Sequence, residues 1–306
     1  MSSKSLSKIA AHCFIYFSSC LLSLNLFAVE EESPLSIRGY STVGFAKIIG
    51  KDNNKTNTDL GVLTKTGTFK RDSLIGLNFI YTINDKATFY AQLVGAGSDF
   101  FTANPRSYKI AADMVMLSYR PDDWIDVRIG RQIMPIWMMS EQIDVGLSYL
   151  WIRPPSEVYL LAPLKTATGV GFNINKQLYG MDLLIGSRIG ESEVESDTFT
   201  SVKLNPAYIV FAELGYQGKL KFRTSLGETN SNSIYTAAPA LLTQNLGFGN
   251  IDVPDASNNT FSQAKLHNRF NIFSLGFSMD ISNIIILSEF AHTRERRYSV
   301  DGLYGH

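Results

Sequence analysis

The sequence predicts an all-β protein in which antiparallel strands run up and down and close into a transmembrane barrel. From residue 36 onward, segments of about ten residues alternate apolar and polar side chains, the pattern of a strand with one apolar face. Long polar loops alternate with tight turns between these segments, as in barrels whose short turns share one side of a membrane. The longest aliphatic run after the N-terminal segment, Ile284–Leu287, is far too short for a helical span.

The N-terminus predicts an export signal over residues 1–28. Lys4 and Lys8 precede an apolar stretch that ends near Phe27, and Ala28 offers a cleavage site. Both cysteines lie in this segment, so the predicted barrel domain, residues 29–306, has none for a disulfide, a nucleophile or a metal site. Removing the two lysines from the 28 basic residues leaves 26 against 28 acidic residues. This balance argues against a nucleic-acid partner.

Eleven strands are predicted in the barrel domain. The second strand shows the alternation most clearly, because Ile75, Leu77 and Phe79 share one face and Gly76 and Asn78 lie on the other. Asn and Asp tolerate left-handed backbone angles and mark the tight turns between strands. The predicted strands cover about residues 36–49, 73–83, 87–98, 111–120, 124–137, 165–174, 179–189, 206–216, 220–228, 267–280 and 284–294.

Several predicted strands carry charged residues on the face opposite their apolar stripe. In the fifth strand, Asp126 and Arg128 alternate with Ile125, Val127 and Ile129. A charge on the lipid face near the bilayer midplane costs about 2–4 kcal/mol, whereas one facing an aqueous lumen costs little. A water-soluble barrel shows the same alternation, but aromatic residues near the strand ends favour interfacial girdles. These residues are Tyr40, Phe69, Trp124, Trp137, Tyr179 and Tyr216.

The connection after the fifth strand, residues 138–164, differs from the other loops in composition. It carries Tyr149, Trp151 and Ile152 among charged residues. An exposed loop rarely carries so much apolar surface, so we expect this segment to fold inward against the barrel wall. The alternative is an outer loop packed at a subunit interface. The longest loop is predicted at residues 229–265, with a short helix near residues 239–244.

Two stretches resemble the Gram-negative outer-membrane porins. The first is SIRGYSTVGFAK, residues 36–47, and the second is LSYRPDDWIDVRIGRQIMPIWMMSEQIDVGLSYLWIRPPSEVY, residues 117–159. The resemblance implies an outer-membrane channel for small polar solutes, commonly assembled as a homotrimer. It also implies that the loop after the fifth strand folds inward and narrows the pore.

The sequence therefore predicts a porin in the bacterial outer membrane, surrounded by lipid and lipopolysaccharide. We expect passive diffusion of small polar solutes or ions, no enzymatic activity and no cofactor. The candidate lining residues carry both signs of charge, which predicts a weak preference for anions. The candidates for the channel lining and its constriction are Arg128, Arg131, Glu141, Asp144, Arg153, Glu157, Asp182, Lys221 and Arg223.

Two other functions remain open from the sequence. A structural or adhesive barrel with a plugged lumen is the first, since only wide barrels of about 16 to 18 strands leave an aqueous channel. An outer-membrane hydrolase is less favoured, because no serine–asparagine–glycine cluster accompanies His267, His292 or His306. The polar loop Asp52–Asp59 lacks the spacing and glycine of a calcium loop. Residues 293–297 either bind lipopolysaccharide phosphates at the outer rim or form a solvated strand end.

The C-terminal sequence bears on the number of strands. An eleventh strand runs outward, and the sequence then reads Tyr304-Gly305-His306 rather than ending on the aromatic residue usual in such barrels. Single-chain barrels have an even number of strands, and each unpaired edge amide costs several kcal/mol in hydrocarbon. We therefore expect the natural protein to continue toward a barrel of about 16 strands. Residues 29–306 alone should insert poorly.

Overall fold

A computed structural model of the chain describes most of the predicted barrel domain. It describes residues 33–47, 67–70, 72–97, 110–148, 151, 154–159, 161–162, 164–194, 201–237, 262–281 and 284–304. The predicted export signal, the Asp52–Asp59 loop and the helix predicted near residues 239–244 lie outside these ranges. Residues Leu35–His306 form one compact unit.

Eleven strands form a single antiparallel sheet in which each strand pairs with the next along the chain. The predicted all-β, up-and-down architecture is therefore confirmed. Within the described residues, β1 pairs with β2 alone and β11 with β10 alone. The strands are β1 Leu35–Thr42, β2 Leu74–Asn84, β3 Ala87–Ala96, β4 Ile110–Asp122, β5 Ile125–Ile133, β6 Thr166–Leu178, β7 Met181–Val194, β8 Ser201–Tyr216, β9 Leu220–Ala237, β10 Ser262–Ile281 and β11 Ile284–Tyr304.

Some strand boundaries differ from those predicted. The loop predicted at residues 229–265 is shorter, because β9 and β10 stay paired as far as Ala237 and Ser262. The end of β9 has polar side chains on both faces, so the sequence there does not alternate between apolar and polar residues and does not indicate a strand. Its backbone nevertheless remains paired with β10. The turn between β6 and β7 lies at Tyr179 and Gly180, where φ is +52° and +76°, and not at residues 175–177. β5 ends before Pro135, which has no amide hydrogen to donate to a ladder.

The two faces of the sheet are inverted relative to a water-soluble protein. On one face, large apolar side chains are exposed, including Ile75 at 57% and Ile129 at 56%. On the other face, charged side chains are buried, including Asp126 at 3% and Arg188 at 2%. The cross-strand register keeps each set on its own face. We call these the outer and the inner face.

The connection between β5 and β6, residues 134–165, is here called the inner segment, and those of its residues that the structure describes lie against the inner face of the sheet. The segment contains 3-10 turns at Ser140–Gln142 and Gly146–Ser148 and the short helix α1 at Ser156–Tyr159. Its buried apolar side chains pack with those of β6, β8 and β10 into one cluster, which consists of Met134, Ile136, Trp137, Ile143, Tyr159, Ala162, Leu164, Ala167, Leu204, Ala207, Ile209 and Ile272. The prediction that this segment folds inward agrees with these contacts.

Within the residues that the structure describes, no helix is both long enough and apolar enough to cross a membrane.

Candidate functional site

The inner segment is fixed to the wall at β9 and β10 by hydroxyl groups. Ser225 and Ser274, on adjacent strands, both donate from Oγ to the carbonyl oxygen of Ile136, at 2.6 and 2.8 Å. Both serines are nearly fully buried. A buried carbonyl without a partner is costly, so this pair of hydroxyls stabilises the turn of the chain just after β5.

Glu289 on β11 provides the next anchor. Its Oε1 accepts a hydrogen bond from the backbone N–H of Met138 at 2.7 Å, and its Oε2 accepts one from the Tyr159 hydroxyl at 3.0 Å. The Tyr159 oxygen in turn accepts from the N–H of Met139 at 2.9 Å. Burial and the neighbouring carboxylate raise the pKa of Tyr159 above its ordinary value, so the phenol stays protonated and donates. One carboxylate thus connects both ends of the inner segment to the wall.

A buried ion cluster holds the C-terminal end of the inner segment to β4. Lys165 Nζ lies 2.6 Å from Asp113 Oδ2 and 2.7 Å from Asp144 Oδ2. Burial alone would lower the pKa of Lys165, but Asp144 and Asp113 together raise it above its ordinary value. The amine is therefore a cation between two carboxylates, one from the wall and one from the segment itself.

Three arginines on the inner face of β5, β7 and β9 form a basic wall opposite the inner segment. Arg128, Gly171 and Arg188 lie in one row across β5, β6 and β7. A Cβ atom on Gly171 would approach Arg188 Cδ to 2.6 Å, so glycine leaves the space in which Arg188 lies flat. Farther along the wall, the guanidinium carbons of Arg188 and Arg223 lie 5.5 and 4.9 Å from the centre of the Phe211 ring. This stacking favours both cations.

Carboxylates only partly neutralise the basic wall. Arg128 Nε lies 2.7 Å from Asp126 Oδ2. Arg223 Nη1 lies 3.4 Å from Glu213 on the neighbouring strand and 3.7 Å from Glu141 of the inner segment. Glu141 is 44% exposed, so the inner segment presents an accessible negative charge toward the wall.

A cavity of about 290 Å³, lined by both apolar and polar side chains, lies between the inner segment and strands β1 to β5. Arg38, Gln92, Arg128, Gln132 and Glu141 are among its lining residues. Both polar atoms of the Gln132 amide are buried without a hydrogen-bond partner among the described residues. Buried amides normally have partners, so the cavity offers hydrogen-bonding groups to whatever occupies it.

A second cavity, of about 410 Å³, lies at the end of the sheet that carries the tight turns. It brings together Asp182 and Lys221, two of the residues predicted to line a channel, with Lys176 and Glu213. Lys221 Nζ lies 2.9 Å from Glu213 Oε1, and Asp182 accepts a hydrogen bond from Gln177 at 3.0 Å. This cavity therefore also carries both signs of charge.

The predicted lining residues divide into four groups. Arg128, Asp182, Lys221 and Arg223 lie on the inner face of the sheet. Glu141, Asp144 and Glu157 lie on the inner segment, where Asp144 is engaged by Lys165 and Glu157 is exposed. Arg153 is outside the described residues. Arg131 is a correction, because its register partners Val115 and Thr168 are exposed on the outer face.

Two residues predicted for aromatic girdles are also corrected. Tyr40 lies on the inner face, where its hydroxyl accepts a hydrogen bond from Gln92 at 2.9 Å. Trp137 is 1% exposed and belongs to the apolar cluster under the inner segment. By contrast, Trp124, Tyr179 and Tyr216 are exposed at the end with the tight turns.

Several residues of the site were not singled out from the sequence. Arg188, Glu213 and Glu289 lie at alternating positions opposite apolar residues, so the period of two assigns them to the inner face. Nothing in the sequence indicates that the Glu289 carboxylate binds the inner segment across 151 residues. Among the described residues, no group of three His, Cys, Asp or Glu side chains is arranged to hold a metal ion.

Comparison with known proteins gives distant similarities. No family model and no curated protein sequence matches the chain. The structure is similar to OmpT, an outer membrane protein of Vibrio cholerae, in its trimer form, with 11% identity, a TM-score of 0.29, and coverage of 88% of this chain and 95% of OmpT. The loop L8 deletion mutant of that protein gives 11% identity, a TM-score of 0.28 and coverage of 88% and 97%. OmpF of Salmonella typhi in complex with daunomycin gives 9% identity, a TM-score of 0.31 and coverage of 86% and 97%.

Proposed function

We propose that this chain lies in the bacterial outer membrane and forms the wall of a channel for small polar solutes and ions. The observation that carries this proposal is the inverted sheet, with exposed apolar side chains outside and buried charged side chains inside. A water-soluble protein rarely exposes so large an apolar surface. A lipid bilayer favours that surface and disfavours charge on it, by about 2–4 kcal/mol for Arg or Lys near the midplane.

The inner segment is the proposed constriction of the channel. It carries the exposed carboxylate of Glu141 toward the wall that carries Arg128, Arg188 and Arg223. Opposite charges on facing sides of a narrow passage act on every ion that enters it. Asp126, Glu213 and Glu141 equal these three arginines in number, so we expect any ion selectivity to be weak, and the anion preference stays a prediction from the sequence.

A barrel with a plugged lumen is the second candidate function. The apolar cluster around Trp137 and Tyr159 favours it, because the inner segment fills part of the interior with close-packed side chains. The cavity between the segment and β1 to β5 favours the channel, since the arginine, glutamate and amide groups in its mixed lining provide hydrogen-bonding partners for hydrated solutes. The role that we propose is passive transport rather than catalysis.

Conductance in planar lipid bilayers tests the channel. We expect the natural full-length protein, purified from outer membranes, to give discrete conductance steps and, in a KCl gradient, a reversal potential slightly toward the chloride equilibrium potential. Glu141→Gln should shift that potential further toward chloride, because it removes the exposed negative charge that faces the arginines.

The matched control is Glu193→Gln, which removes an exposed carboxylate from the outer face of β7. It should leave the reversal potential unchanged. If the protein inserts into membranes but does not conduct ions, the result would refute the channel and support the plugged barrel. Recovery of the exported protein in the soluble fraction would refute both.

A further inference from the structure

The outer face of β10 and β11 carries a group of arginines beyond its apolar surface. Glu289 on β11 contacts the inner segment, so residues at odd numbers from 287 to 295 face inward and the even-numbered residues face outward. The outward series begins with Ile284, Ile286 and Phe290, which are exposed. It continues with His292, Arg294 and Arg296, which are also exposed.

The height of these arginines follows from strand geometry. Arg294 lies ten residues after Ile284, which is about 34 Å along an antiparallel strand. With a tilt of about 40° this becomes a height of about 26 Å, and the apolar band of such barrels is about 25 Å tall. Arg294 and Arg296 therefore lie at the upper edge of the apolar surface. If the tight turns lie in the periplasm, this edge meets the headgroups of the outer leaflet.

Charge in this patch is unbalanced. Arg296 is the direct cross-strand partner of Arg269, and like charges placed opposite each other destabilise a sheet. Glu228 on β9 contacts Arg269. No ion pair or hydrogen bond involves the side chain of Arg294 or Arg296 in the described part of the chain. Arg294 and Arg296 therefore add two cations beside the Arg269–Glu228 ion pair.

The same level of the outer face is balanced elsewhere. On β7 and β8, Glu193 and Lys203 are direct cross-strand partners of opposite charge, and both are exposed. The pair on β7 and β8 therefore shows no such excess of cations. Guanidinium groups bind phosphate oxygens through paired hydrogen bonds, so an anion of this kind would relieve the repulsion between Arg269 and Arg296.

We propose that Arg269, Arg294 and Arg296 bind the phosphate groups of an outer-leaflet lipid, of the kind found on the lipid A part of lipopolysaccharide. The site rests on the proposed outer-membrane location. The lipid is favoured over a free anion because Phe290 and Leu275 continue an exposed apolar surface below the arginines, with the His292–Phe273 pair between them. A phosphorylated lipid contacts both surfaces at once, with its acyl chains on the apolar band and its headgroup on the guanidinium groups.

The test measures binding of lipid A to the detergent-solubilised full chain by native mass spectrometry. The double substitution Arg294→Gln/Arg296→Gln should weaken binding about thirtyfold, since each arginine near an anionic lipid surface contributes about fivefold. Lys203→Gln/Lys219→Gln removes two exposed cations outside the patch and should leave binding unchanged. Removing the phosphates from lipid A should weaken its binding to the unmodified chain at least as much as the double substitution weakens binding of intact lipid A.

Other outcomes identify other occupants. If millimolar inorganic phosphate saturates the patch and displaces lipid A, the result would refute the lipid proposal and identify the ligand as a free anion. If the chain forms a dimer that the double substitution dissociates, the result would refute the lipid proposal and identify the partner as a second copy of the chain. Equal lipid binding by the double variant and the unmodified chain would refute the site.

Two further properties are measured on the same preparations. They are the conductance in lipid bilayers and the change in gel migration on heating, which reports whether the barrel is folded. A variant that folds and conducts normally but binds lipid A like the unmodified chain refutes the lipid site alone. Failure of the natural full-length protein to insert into bilayers refutes the outer-membrane function on which the site rests.

Discussion

Replacing Glu289 by alanine is expected to release the inner segment from β11. The substitution removes both acceptors at once, so the Met138 N–H and the Tyr159 hydroxyl lose their partners at 2.7 and 3.0 Å. Met138 and Tyr159 are buried. A buried donor that loses its partner costs about 1–3 kcal/mol, so the two together weaken docking of the segment by about 2–6 kcal/mol.

Amide hydrogen exchange on the full chain in detergent measures this effect directly. A loss of about 2 kcal/mol in local opening free energy corresponds to about thirtyfold faster exchange. We expect that acceleration in peptides covering residues 136–142. The conservative change Glu289→Gln keeps one carbonyl acceptor and should give an intermediate rate.

Glu295→Ala is the matched control for Glu289→Ala. Glu295 lies on the same strand and on the same face, but it accepts a hydrogen bond from Asn268 on β10 at 2.7 Å. It should leave exchange in residues 136–142 unchanged. If Glu289→Ala also leaves it unchanged, or if the two substitutions accelerate it equally, the anchoring role of Glu289 is wrong.

Three further predictions concern the wall. Lys165→Met removes the cation beside the buried Asp113 and the partly buried Asp144 and should destabilise the fold by about 3–5 kcal/mol. The measurement is the temperature at which the folded protein changes its migration on gels, which should fall for Lys165→Met and change little for Lys165→Arg. Gly171→Ala places a Cβ atom 2.6 Å from Arg188 Cδ, so it should displace Arg188 and change the reversal potential. The control Gly95→Ala, whose Cβ atom would meet the Ile75 side chain at an ordinary 3.4 Å, should leave the reversal potential unchanged. Ile129→Lys puts a charge on the outer face and should reduce stability in bilayers by about 2–4 kcal/mol; an unchanged stability would contradict a lipid-facing surface.

The strands follow from the sequence because period-two alternation is a local signal that eleven segments carry independently. The same signal assigns Arg128 and Arg223 to the inner face correctly. It also assigns Arg131 to the outer face of Val127 and Ile129, where the register keeps it; the prediction of Arg131 as a lining residue is wrong because it follows the charge of the side chain and not its position in the alternation. It also misses the ends of β9 and β10, where polar residues occupy both faces.

Long-range contacts are harder to predict than strands. The composition of residues 138–164 indicates a segment that packs inward, but it does not indicate which wall residues hold it. Ser225, Ser274 and Glu289 are ordinary polar residues on polar faces, and only the curvature of the sheet brings them to Ile136 and Met138. The girdle prediction for Trp137 is wrong because its sequence pattern does not depend on its environment. An aromatic residue at a strand end looks the same in the sequence whether its side chain faces lipid or the interior.

Burial separates the inner-face charges into two functional kinds. Lys165 and Asp113 are enclosed and paired, so changing them should alter the stability of the inner segment more than the passage of ions. Glu141 and Arg128 keep 44% and 24% of their side chains exposed, so they remain available to a passing solute. Arg223, at 3% exposure, touches Glu213, Glu141 and the carbonyl of Pro135 and belongs to both kinds. Its replacement should therefore change selectivity and docking of the segment together, whereas Glu141→Gln should change selectivity with little effect on docking.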